Sequence, residues 1–220
     1  GDWIIENDRV RFIIRDIGRD FSFMLTYGGH IMDADFQRAS GPGRDNFLAM
    51  SPLINISSTD NPTSITVLNN GLGGGAAVLQ TSGPEDLFDP IDPAVAIKGF
   101  STSLSVPLAA IDKNIPVTVL NEYTLAPGDD FVQIETIINN TGASPLNLFV
   151  GDFASGGGQL EIVAPGLGFG EAAIRIGGSV AAGEQTYDFL GWLGFGQAQG
   201  ISYGLIPQTY DLTSSFASSG

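Results

Sequence analysis

The stretch PVTVLNEYTLAPGDDFVQIETIINNTG, Pro116 to Gly142, decides the fold. In its first half Val117, Val119, Tyr123 and Leu125 fall on alternate positions. In its second half Val132, Ile134 and Ile138 share a face with Thr136, while Gln133 and Glu135 take the other. Extended backbone sends successive side chains to opposite sides, so a period of two means a strand with one buried and one wet face. Between the halves, APGDD puts Pro127 and Gly128 at the central positions of a type II turn. Proline presets φ at the first and glycine supplies positive φ at the second. The stretch is therefore a long β-hairpin.

The same period runs outward from it. In RVRFIIRD, Val10, Phe12 and Ile14 alternate with Arg9, Arg11 and Arg15. SPLINIS, SITVLNN, AAVLQTS, VAIKGFSTSLSV, LNLFVGDFA, QLEIVAP, AAIRIGG, TYDFLGWLG and ISYGLIP are further strand candidates, divided by Gly, Pro, Asn and Asp clusters. No ten residues keep a helical apolar period without a Gly or Pro interrupting them. About 14 strands at spacings of roughly 10 to 15 residues predict an all-β chain, a large antiparallel β-sandwich with little helix. With no internal repeat and no linker, residues 1–220 form one expected domain. The opening GDWIIEN, without an initiator methionine, and the close at SSFASSG suggest a piece of a longer chain.

Composition bounds the function. A net charge of −15 repels phosphate backbones and anionic lipid, which argues against nucleic-acid and membrane-surface partners. Residues 51–220 carry three basic groups against sixteen acidic ones, a net −13, so the acidic field lies there and attracts cations. The absence of cysteine removes disulfides, thiolate nucleophiles and cysteine-based metal centres. No run approaches the roughly 20 apolar residues of a membrane-spanning helix.

YGGHIMDADF, Tyr27 to Phe36, holds the single histidine. On a regular strand His30, Met32, Ala34 and Phe36 face one way and Ile31, Asp33 and Asp35 the other, so His30 and the aspartates share no ligand. A partly buried structural role is expected for His30. Asp33 and Asp35, joined by Asp45 of GPGRDNF, are candidate calcium ligands against a bland reading as solvated or arginine-paired carboxylates. PEDLFDPIDP gathers Glu85, Asp86, Asp89 and Asp92, the oxygen donors that hard cations prefer. It lacks D-x-D-x-D-G spacing and is expected as a solvated acidic loop. Calcium is thus the one cofactor the sequence admits.

Other chemistry finds little purchase. GLGFGEAAIRIGG sets Glu171 where a dinucleotide fingerprint needs its third glycine, and Gly177-Gly178 arrives too soon for the helix. GLGGG, residues 71–75, and GGG, residues 156–158, lack the Lys-Ser/Thr of a phosphate loop. No G-x-S-x-G elbow is present, and no catalytic residue is assigned. A carboxylate pair of the glycosidase kind needs two acids in a cleft, which spacing in sequence does not reveal. Trp192 and Tyr187 of TYDFLGWLGFG are the candidate aromatic ligand platform, against a core role.

The cadence NEYTLAPGDDFVQIETIINNTGASPLNLFVGDF resembles the central hairpins of the galactose mutarotase-like supersandwich. In that fold, found in aldose epimerases and in sandwich domains of polysaccharide-active enzymes, two long strands and an N-x-x-x-x-P turn precede a third strand. The resemblance covers about 40 residues and implies the fold. The histidines and carboxylate that mutarotases place on a concave sheet have no counterpart motif in a one-histidine chain. GDWIIENDRVRFIIRD, YGGHIMDADF and PGLGFGE are similar to modules of large secreted bacterial proteins. The resulting expectation is a non-catalytic extracellular or cell-surface module with structural, self-association or glycan-contact roles, its partners being glycans or copies of itself. A carbohydrate-active enzyme domain is the alternative.

Overall fold

The computed structural model describes residues 1–22, 25–40, 47–55, 57–88, 114–156, 160–164, 168–171, 190–194, 201–206 and 208. Among them there is no helix. The strands are β1 (Trp3–Glu6), β2 (Val10–Ile14), β3 (Arg19–Ser22), β4 (Leu25–Tyr27), β5 (Ile31–Phe36), β6 (Phe47–Ile54), β7 (Ser58–Asp60) and β8 (Ser64–Asn70). They continue with β9 (Ala77–Leu87), β10 (Val117–Leu125), β11 (Gln133–Asn140), β12 (Val150–Gly156), β13 (Leu160–Ala164), β14 (Gly168–Glu171), β15 (Leu190–Gly194) and β16 (Ser202–Leu205). The chain divides into two compact units, Gly1–Ser40 with Leu48–Ser155, and Gly41–Phe47 with Gly156–Gly220.

The first unit is built on a ten-stranded antiparallel sheet of order β1-β2-β5-β6-β7-β9-β10-β11, with β12 added beside β6 and β8 beside β9. The hairpin β10–β11 forms as its period predicts: every odd residue from Val117 to Leu125 is buried, and Gly128 takes φ 80 in the expected turn. Ile54, Val117 and Val119 form a core cluster against which Ile115, Ile138, Leu146 and Leu148 pack. The sheet turns back far enough for the β1–β2 turn to reach the β10–β11 turn. There Asn7 Nδ2 donates to the carbonyls of Ala126 at 2.9 Å and Asp129 at 2.8 Å, and Arg9 donates to that of Gly128 at 3.2 Å. β12, instead of extending the β10–β11 hairpin, joins β6.

β7 and β8 are one sheet edge broken in the middle. β7 pairs with Glu85–Leu87 of β9 and β8 with Ala77–Ser82. Between them Asn61-Pro62-Thr63 crosses β9 at Gly83, held by Asn61 N to Pro84 O and Thr63 N to Ser82 O, both 2.8 Å. Only a residue without a side chain fits at Gly83, because a Cβ there would land on the Asn61 carbonyl.

Two expectations are corrected. β5 does not alternate regularly: Ile13 pairs with Asp33 and Ile14 with Ile31, so Met32 is an extra, bulged residue. Ile31 and Ala34 are consequently both buried and Phe36 is exposed, whereas the regular pattern put Ala34 and Phe36 together against Ile31. The acidic loop is also not a loop at its start. Gly83–Leu87 completes β9, and Phe88 is fully buried.

In the second unit β14-β13-β15-β16 form a four-stranded antiparallel sheet. GFGE of the glycine-rich stretch supplies β14. VAIKGFSTSLSV and AAIRIGG lie outside the described residues.

Candidate functional site

The residues with the most chemistry converge in the interior of the first unit. Gly28-Gly29 bends the chain between β4 and β5 with φ +85 at Gly29, a conformation glycine adopts without strain. Arg15 and Gly18 pin the bend through Gly29 N to Arg15 O at 2.8 Å and Gly28 N to Gly18 O at 2.9 Å. This delivers His30, 1% exposed, against Asp60, 0% exposed, at the end of β7. His30 Nε2 lies 2.7 Å from Asp60 Oδ1, and Nδ1 lies 3.2 Å from the Tyr27 carbonyl. Both ring nitrogens thus have an oxygen within hydrogen-bond distance.

The network continues through β10 and β11. Asn121 Nδ2 donates to Asp60 Oδ2 at 2.8 Å, and the Thr136 hydroxyl donates to Asn121 Oδ1 at 3.0 Å. The Tyr123 hydroxyl donates to the Gly29 carbonyl at 3.0 Å. Both Asp60 oxygens and both His30 nitrogens are engaged, and the two residues are sealed from solvent. Chemically the cluster is a brace joining the Gly-Gly bend, the β7 end and the central hairpin.

Loss of hydration raises the Tyr123 hydroxyl well above the usual phenol range, the negative fields of Asp60 and Asp152 adding to it. Asp152 keeps exposed surface, yet its crowded setting raises its carboxyl through desolvation. The sign for Tyr123 is definite. Above the unfolded pKa of about 10 the unfolded chain loses this proton while the folded one keeps it, so stability present below that pH declines as pH rises beyond it. A phenolate titration followed at 295 nm, run beside circular dichroism, should show Tyr123 ionising only as the fold is lost; Tyr123→Phe should flatten the alkaline decline. An unchanged decline would remove Tyr123 from it.

The acids singled out by sequence are dispersed. Asp35 pairs with Arg38 and accepts the Phe36 amide at 2.7 Å. Asp33 sits across from Ile13 on β5 and is half-buried. Glu85 is buried and accepts the Ile115 amide at 2.8 Å. Asp86 accepts from Asn61 Nδ2 at 3.0 Å. Asp45, Asp89 and Asp92 lie outside the described residues, as does Tyr187. Register sets Asp60 opposite Glu85, but their partners draw the carboxylates to separate tasks. Among the described residues no three His, Asp or Glu side chains are disposed to hold a metal ion. Trp192 on β15 stands opposite Ile162 of β13 and Tyr203 of β16, and the Tyr203 ring meets Phe47 edge-on at 5.4 Å between centroids.

Sequence reasoning missed two features. Asp60 closes the short stretch SSTD, which has no recognisable motif, and Asn121 interrupts an apolar face. The polar residue at a core position was the available signal, since a buried amide requires partners. The second feature is Glu122, which stands directly opposite Glu135 and accepts a hydrogen bond from Gln80 at 3.4 Å. Comparison with family models, curated proteins and solved structures gave no match.

Proposed function

We propose that the chain is a non-catalytic extracellular β-sandwich module of a larger secreted or surface protein, acting through its surface as a spacer, in self-association or in contact with glycans. The observation that carries this reading is the commitment of the only histidine and its acid to a sealed internal brace. Proton transfer to a substrate requires a group within hydrogen-bond reach of it. A buried pair with every polar atom engaged serves the fold instead. The sandwich, and with it the supersandwich resemblance, is supported by the return of the β1–β2 turn onto the β10–β11 turn.

The test is a turnover panel of aryl glycosides, polysaccharides and aldose anomers, with glycan binding followed in parallel. The expected result is no turnover above the buffer rate by the wild type. Turnover lost in His30→Gln with the fold intact would overturn the reading.

The enzyme alternative has one observation in its favour, the Glu122–Glu135 pair. Directly opposed Cβ atoms on antiparallel strands lie roughly 4.5–5.5 Å apart, which leaves the two carboxylates within the range of a retaining glycosidase pair. Turnover abolished by Glu122→Gln and by Glu135→Gln would establish it.

For cations we favour screening. Asp35, Glu85 and Asp86 already have partners within the chain, while the −13 of residues 51–220 opposes compaction. After exhaustive chelation, sodium chloride should raise the melting temperature as much as calcium or magnesium at matched ionic strength. A calcium-specific rise of more than about 3 °C would assign these acids to a site, by the mass action of a native-state ligand.

A further inference from the structure

We infer that β8 is a self-association edge, across which a second copy of this chain adds its own β8 antiparallel to extend the sheet. The inference names the partner for the self-association role proposed above and rests on that reading.

β8 is hydrogen bonded to β9 on one side, and no other described strand pairs with it. Its residues are exposed except for half-buried Ile65, with Val67 at 45% and Leu68 at 52%, and Leu72 in the following turn reaches 88%. Unpaired amides and carbonyls beside exposed aliphatics form a template for another strand. Protein edges are commonly blunted by lysine, proline or an inward charge, and β8 contains none of these. Its bulge lies at Leu68 and leaves Ser64–Val67 in regular register. Val67 lies opposite buried Leu79, so the core face continues to the edge and is uncovered there.

Charge selects the occupant. Two copies of a −15 chain repel wherever their acids approach, yet Asn61 to Gly83 contains no ionisable side chain in 23 residues. Both ends of the same sheet carry acids: β1 has Glu6, with Asp2 and Asp8 beside it, and β11 has Glu135, with Asp129 and Asp130 at its turn. A neutral edge is therefore where like-charged copies meet at least cost. Antiparallel pairing of a strand with itself is two-fold symmetric, so the contact closes as a dimer. Its small extent predicts weak binding, with Kd on the order of 100 µM. Because long-range repulsion opposes it, salt strengthens it.

The cysteine-free chain permits a clean test. Val67→Cys places a single thiol near the two-fold axis, and mild oxidation should give a covalent dimer, while Ile137→Cys on β11 should not. Sedimentation equilibrium should show a reversible dimer that tightens several-fold between about 0.03 and about 0.3 M salt. Val67→Lys should abolish it, and so should Leu72→Lys, whose exposure frees it from any folding role. A wild type monomeric up to about 1 mM, a dimer untouched by both lysine variants, or cross-linking through position 137 instead of 67 would overturn the inference. A monomer leaves the non-catalytic reading standing, and turnover in the substrate panel leaves this edge standing, so the two failures are distinguishable.

Discussion

Asp60→Ala should destabilise the protein by about 3–5 kcal/mol, since two buried groups lose their hydrogen-bond partner at about 1–3 kcal/mol each and the missing side chain leaves a cavity. The carboxylate holds His30 Nε2 through one oxygen and Asn121 Nδ2 through the other. Its removal strands two donors at sites 1% and 0% exposed. Asp60→Asn restores the volume but presents an amide N–H to one of those two donors, so it should recover only part of the loss. His30→Gln keeps a donor for Asp60 and should cost less, about 1–3 kcal/mol. Against a total stability of about 5–15 kcal/mol, the alanine variant is marginal or unfolded. Urea denaturation with an unchanged slope is the measurement. A loss below about 1 kcal/mol would mean that the brace contributes little.

Ala at Gly28 or Gly83 should be as damaging, about 4 kcal/mol or more, through sterics instead of lost hydrogen bonds. A Cβ at Gly28 would land on the Asp16 carbonyl and one at Gly83 on the Asn61 carbonyl, both main-chain atoms that no rotamer change can move aside. Gly73 is the control, since a Cβ there meets nothing within 4 Å. Gly73→Ala should fold like the wild type. Equal melting temperatures for Gly28→Ala and Gly73→Ala would show that the bend relaxes readily.

Much of the fold was legible because strands announce themselves locally. The face of β10 is written in Val117, Val119, Tyr123 and Leu125, and its turn in Pro127-Gly128. The His30 question was only half legible. The structural role expected for His30 rested on alternation along β5, and that alternation failed at Met32, where a bulge inserts one residue. A bulge depends on the neighbouring strand's register, which a single segment does not encode. Glu85 failed for a related reason. In a Pro- and Asp-rich stretch it looked solvated, yet β9 runs on and the Ile115 amide meets it inside.

The sequence by itself determined the all-β class, the hairpin, the absence of thiol chemistry and the acidic field, because each depends on composition or on a period of two along one strand. Tertiary structure alone decided that Asp60, thirty residues beyond His30, is its partner and that Asn121 and Tyr123 complete the brace. It also decided that β8 is an edge among the described strands and that Glu122 stands opposite Glu135. The physical reason is the same in each case. Hydrogen-bond partners and strand neighbours are set by which distant segments pack together, and the free energy of that packing belongs to pairs of segments, neither of which carries it alone.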